Sequence, residues 1–219
     1  MKHSITVNGS EFGEAIKTAT VYANKDNDPD NGLCHILISL LPKLKKVAII
    51  ACDGHGYYER RIALIAQKGQ KASLPDKEQR LCVFNKDIAM LTKFVGSRDS
   101  GDISFEVDDE SLKDGRYLVK MSLPNGSSTT FFARAGIAIP DYGVFCKKAE
   151  NSKKAKPALF NLLIPIHELV RAGKAFPSKL GSIARIFTCN AEMALLEYQS
   201  DSDDIKVIFT FARDSTATA

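Results

Sequence analysis

His3-Ser4-Ile5-Thr6-Val7 runs directly into Asn8-Gly9-Ser10-Glu11-Phe12, so a strand pattern passes into a helix pattern within ten residues. Polar and apolar side chains alternate through the first five, and Phe12, Ile16, Ala19 and Ala23 then recur at helical spacing. Ser10 reads as the N-cap, and the helix is expected to end near Asn24. Two strand-like runs follow, Leu33 to Leu41 and Val47 to Ala51. The turn Asp53-Gly54-His55-Gly56 then leads into a third, Tyr57 to Ile65. The unit is strand, helix, then three strands.

The same order returns twice, without close residue identity between copies. In the second copy Arg80 to Phe84 is a strand. Asn85 caps a helix carrying Ile88, Leu91, Phe94 and Val95, and strands run Ile103 to Val107, Tyr117 to Leu123 and Thr129 to Arg134. Pro124-Asn125-Gly126 marks a tight hairpin, because Asn-Gly tolerates the positive φ such a turn needs. In the third copy Leu162 to Ile166 is a short strand, and Leu169, Val170, Gly173 and Phe176 mark the apolar side of a helix that Pro177 ends or kinks. Strands follow at Ile183 to Cys189, Met193 to Tyr198 and Ile205 to Phe211, the last two joined by the acidic turn Asp201-Ser202-Asp203-Asp204. Between the second and third copies, residues 146–157 are polar, carry five lysines and show no apolar period, so they read as a linker.

A helix with one apolar stripe and strands that alternate bury both apolar surfaces when the helices lie on one face of an antiparallel sheet. The expected class is therefore α+β, built of repeated β-α-β-β-β units. The expected division is 1–145 as a domain of two units, 146–158 as the Lys-rich linker, and 159–219 as a third unit, a half-domain.

Composition narrows the function classes. With 219 residues and 44% hydrophobic content, the chain can bury a core without metals or disulfides. Its five cysteines are odd in number and, apart from Cys146, lie in apolar runs, which reads as free thiols in a reducing cytoplasm. No secretion signal and no membrane-spanning run is legible. A net charge of +4 is too small a bias to decide on nucleic acid by itself, so the placement of the lysines has to.

Ala51-Cys52-Asp53-Gly54-His55 resembles the Thr-Asp-Gly-His-Arg-Leu-Ala segment of the bacterial sliding clamp, the β subunit of the replicative DNA polymerase III, at the same turn before the last strand of a unit. Pro140-Asp141-Tyr142-Gly143-Val144 resembles the Pro-Asp-Tyr stretch that closes the second unit of the same clamp domain. Residues 3 to about 145 would then be equivalent to the clamp's middle domain, and the third copy to its last half-domain, with Val207-Ile208-Phe209-Thr210-Phe211 as the final strand. Two features depart from the family. This chain shows three units where a clamp subunit has six, and Gly56 and Tyr57 stand where the family has Arg and Leu.

The resemblance implies the DNA-clamp fold and a non-enzymatic scaffold that holds double-stranded DNA without reading bases. Lysines and arginines on the inner helices would meet phosphates. Opposite the apolar stripes lie Lys17 and Lys25 on the first helix, Lys86 and Lys93 on the second, and Arg171 and Lys174 on the third. Exposed helix faces also carry lysines merely for solvation, so both readings stand on sequence alone. Carried over residue by residue, the family's pocket for a partner peptide would involve Gly54, His55, Tyr57, Pro140, Val144, Val207 and Phe209. Tyr57, Val207 and Phe209 equally suit a core.

Rival chemistries lack their residues. Cys52 and His55 have C-x-x-H spacing without a second pair, so no zinc site is expected. Asp26, Asp28 and Asp30 begin like a calcium loop, but Asn31 and Leu37 occupy the places that need Gly and Glu, and the stretch reads as a plain loop. There is no phosphate-cradling Gly-rich loop, no G-x-S-x-G and no H-E-x-x-H, so neither a cofactor nor an enzyme is expected. The primary expectation is a processivity factor for a DNA polymerase, or a shortened relative of one. The alternative is an adaptor without a ring that binds proteins carrying clamp-binding peptides. A ring of twelve units would need four chains, which makes a homo-oligomer a geometric option.

Overall fold

A computed structural model describes residues 2–66, 74–96, 101–113, 115–137, 166–176, 185–190, 193–199 and 203–210. The first module comprises β1 (Lys2–Asn8), α1 (Gly9–Tyr22), β2 (His35–Leu41), β3 (Lys46–Cys52) and β4 (Gly56–Ala63). The second comprises β5 (Gln79–Phe84), α2 (Asn85–Val95), β6 (Asp102–Lys113), β7 (Arg116–Ser122) and β8 (Ser128–Arg134). The third contributes α3 (Ile166–Gly173), β9 (Arg185–Asn190), β10 (Met193–Gln199) and β11 (Asp203–Thr210).

All eleven strands belong to one antiparallel sheet in the order β1-β6-β7-β8-β5-β2-β3-β4-β11-β10-β9. The modules exchange first strands, β1 lying beside β6 of the second module and β5 beside β2 of the first. The third module joins through its last strand, with β11 paired to β4 from Asp203↔Ile62 to Phe209↔Gly56. The α+β expectation with helices on one face of the sheet is met.

Alternation decides which strand residues meet the helices. Ile36, Ile38 and Leu40 of β2, Val47, Ile49 and Ala51 of β3, and Tyr58 and Ile62 of β4 join Phe12, Ala15, Ile16 and Ala19 of α1 in one core. Phe12 meets Phe105 edge-on at 4.9 Å, and Tyr22 stacks on Tyr58 at 5.6 Å. Each such ring contributes about 1.5–3 kcal/mol by burial. The helices approach closely, since a Cβ on Gly13 would lie 2.9 Å from Val95 Cγ1. Glycine at 13 is what lets α1 and α2 touch.

Several local readings are corrected. The N-cap of α1 is Asn8, whose side chain accepts the Glu11 N–H at 3.0 Å, and Ser10 already lies inside the helix. Asn85 is the first residue of α2 rather than its cap, and its Nδ2 donates to the carbonyls of Asn24 and Asp26, pinning α2 to the loop after α1. Gly32–Cys34 forms a 3-10 turn where the strand was expected to begin. Ile166 is helical, and the rest of the strand expected at 162–166 lies outside the described residues. Val170 is exposed, while Ala172 and Ala175 are the buried residues at this helix and its end. The hairpin at 124–126 forms as read, with Gly126 at φ 86° and the Gly126 N–H bonded to the Leu123 carbonyl. The linker at 146–158 lies outside the described residues, as does Pro177.

Candidate nucleic-acid interface and partner surface

The basic residues sort into two grooves in the helix layer. The first, about 480 Å³, runs between the end of α1 and the start of α2 and is lined by Lys25 and Lys86, with Val21, Ile88 and Ala89 as its apolar wall. The second, about 620 Å³, runs between α1 and the end of α3 and brings together Lys17, Lys174 and Arg60, with Glu14 among them. Val21 lines both grooves, so they are neighbours on one surface. Lys93, in the last turn of α2, lines neither of these two.

Arg60 is a cation the sequence reading passed over. It sits on β4 with 4% side-chain exposure and donates to Glu14 of α1 at 3.2 Å. Its place in a run of strand residues, Glu59-Arg60-Arg61, gives no sequence sign of which face each one takes.

Arg171 has a different task from the one expected of it. Its guanidinium pairs with Asp53, donates to the Val21 carbonyl at 2.9 Å and lies 4.2 Å from the centre of the Tyr22 ring. Side-chain exposures of 15% and 20% put the Arg171–Asp53 pair largely out of water. A cation committed to a carboxylate, a carbonyl and an aromatic face acts as a clasp between α3 and the first module rather than as a phosphate contact.

Asp53 anchors the other end of that clasp and shapes the Asp53-Gly54-His55 turn. Its Oδ1 accepts the backbone N–H groups of His55 at 2.9 Å and Gly56 at 2.8 Å. Gly54 takes φ 91°, which a side chain would strain. Cys52 is buried and its Sγ accepts the Gly54 N–H at 3.2 Å, so the C-x-x-H pair serves the turn. Gly56 faces the helix layer, where a Cβ would come within 3.1 Å of Tyr22 ring carbons and 3.4 Å of Arg171 Cζ. The departure from Arg at this position therefore makes room for the clasp.

The residues expected to form a peptide pocket do not share one face. Val207 is opposite Tyr58 and is buried with it under the helices, whereas Tyr57 is opposite Ile208 and turns to the outer face. There the Tyr57 hydroxyl donates to Glu59 at 2.5 Å, Arg61 bonds Glu59 at 2.6 Å and Asp204 lies 3.6 Å from Arg61. Burial works against the Arg61 cation, but these carboxylates outweigh it and hold its pKa above the ordinary value. Gly54 and His55 are exposed at the turn, and Phe209 is placed opposite Gly56 by strand register. Pro140 and Val144 lie outside the described residues.

Asp26, Asp28 and Asp30 form the loop expected of them. Asp28 accepts the Asp30 N–H, and Asp30 pairs with Arg134 at 2.9 Å. Among the described residues no group of three or more His, Cys, Asp or Glu side chains could hold a metal ion. No helix among them is long and apolar enough to cross a membrane.

No family model and no curated protein matches the sequence. Solved structures do. The β subunit of DNA polymerase from Streptococcus pyogenes superposes with a TM-score of 0.60 at 12% identity, over 94% of this chain and 64% of that one. The fold is that of the bacterial sliding clamp. The Pseudomonas aeruginosa DNA polymerase sliding clamp gives 0.61 at 13% identity, over 96% of this chain and 67% of that one. The Thermotoga maritima DNA polymerase III β subunit gives 0.57 at 10%, over 96% and 64%. The chain thus spans about two thirds of the length of the clamps it matches. Within the clamp fold, the helix layer with its two basic grooves and the sheet with its Tyr57–Glu59–Arg61–Asp204 network are opposite surfaces.

Proposed function

We propose that this chain is a non-catalytic, clamp-like scaffold that lies along double-stranded DNA through its helix layer, as a processivity factor or a shortened relative of one. The observation that carries the reading is the gathering of Lys25 with Lys86, and of Lys17 with Lys174 and Arg60, into two adjoining grooves on the helix side. Flexible ammonium groups along shallow apolar grooves suit a phosphate backbone, because they neutralise charge and release counterions without reading bases. Arg171 is left out of this set, since the clasp occupies it. In the same reading, residues 1–145 work as a two-module domain joined through 146–158 to a half-domain at 159–219. A DNA polymerase or another protein with a clamp-binding peptide would dock near the exposed Gly54-His55 turn.

Equilibrium anisotropy with two short duplexes of unrelated sequence tests it. Both should bind with similar affinity, and K25E/K86E should weaken both alike. Strong preference for one sequence, or no binding to either, would remove the reading.

A further inference from the structure

The open side of β8 is accounted for by neither groove. In the first two modules strand placement is two-fold: β1 lies beside β6 as β5 lies beside β2, β1 meets the end of β4 at Val7↔Leu64, and β5 meets β8 at Cys82↔Arg134. The last strands β4 and β8 are therefore equivalent. Along nearly all its length β4 is covered on its outer side by β11, which is itself a last strand and runs antiparallel to it. Among the described residues β8 pairs along its length with β7 alone, and the single bridge to β5 is at its final residue.

The composition of β8 points the same way. Ser128-Thr129-Thr130-Phe131-Phe132-Ala133 holds no charge and no proline, and its register with β7 continues over seven pairs without a bulge. Sheet edges that stay free are usually guarded by one of those devices. Phe132 is 58% exposed and sits opposite Leu118, exposed at 38%, so an apolar pair lies at this edge in water.

We propose that β8 is a self-pairing edge that takes β8 of a second copy of this chain in an antiparallel, two-fold contact. A second copy is the fitting occupant because the equivalent edge, β4, is closed by another last strand, and β8 is the last strand that a second copy leaves uncovered. A strand pairing with itself about a two-fold axis closes on two chains and leaves no edge for further growth. With the axis at Phe131, each Phe132 lies beside Thr130 of the other copy on the outer face, where cross-strand neighbours interact directly.

The proposal rests on strand order and not on the DNA reading. Light scattering on the full chain at micromolar concentration should give twice the chain mass. F132E, which sets two like charges beside the axis at an exposed position, should halve that mass and leave the melting temperature unchanged. T130K/F132E, which sets opposite charges across the axis, should regain the double mass. A single-chain mass for the unsubstituted protein, an oligomer that F132E leaves intact, or a T130K/F132E chain that stays single overturns the contact. Duplex binding by folded, single-mass F132E keeps failure here distinct from failure of the DNA reading.

Discussion

Removing the Asp53 carboxylate should loosen α3 from the first module, and its cost can be worked from the geometry. In D53A two backbone N–H groups, from His55 and Gly56, lose an acceptor at 2.9 and 2.8 Å, at about 0.5–1.5 kcal/mol each. The Arg171 guanidinium also loses its carboxylate. Breaking a fully buried pair costs about 3–5 kcal/mol and an exposed one under about 1, so a pair at 15% and 20% exposure falls near 2 kcal/mol. Arg171 keeps the Val21 carbonyl and the Tyr22 ring, which limits the loss. The sum is about 3–4 kcal/mol for D53A. D53N, which keeps an oxygen for the two N–H groups, should cost about half of that. Urea unfolding followed by far-UV circular dichroism suits a chain without tryptophan. In a double-mutant cycle with R171A, the coupling should be about 1–2 kcal/mol. A coupling below about 0.3 kcal/mol would show that the two side chains act independently and refute the clasp.

Other outcomes follow from single groups. His35 is fully buried with Nε2 unpartnered among the described residues, and burial lowers its pKa from the ordinary 6.5. The unfolded chain therefore binds the extra proton first. Stability should be present above pH 6.5 and fall as pH drops below it, by at most about 1.4 kcal/mol per pH unit until the folded pKa is reached, and H35Q should flatten that slope in urea titrations. Burial pushes the Cys82 thiol up to about 11, so at pH 8 roughly one in a thousand is thiolate; iodoacetamide should spare Cys82 in the folded chain and label all five cysteines in urea. G56V drives a branched side chain into Tyr22 and should cost about 1–3 kcal/mol, read by a drop in melting temperature.

How much was legible follows from which signals are local. The stripe Phe12, Ile16, Ala19, Ala23 and the alternation along β2, β3 and β6 are set by backbone period, and all four stripe residues are buried as read. The third helix misled because eight residues give little more than two turns. Leu169 and Val170 invited an apolar face, while the small Ala172 and Ala175 are what pack. Arg171 with Lys174 looks on sequence like any basic pair, and the carboxylate that claims Arg171 lies 118 positions earlier in the chain. Likewise nothing local says that Glu14 will meet Arg60 across 46 residues. The pocket residues failed on parity: Tyr57 and Val207 were matched by motif, but strand side chains alternate, and register pairs Val207 with Tyr58. The turn Asp53-Gly54-His55 was found in its expected place, and the meaning of Gly56 needed the Tyr22 ring beside it.

The salt dependence of duplex binding tests the proposed role most directly. Four lysines in the two grooves meeting four phosphates should give a slope of log K against log salt of roughly −3.6, reduced to about half in K17E/K174E. A slope near zero, or one that K17E/K174E leaves unchanged, would contradict the account.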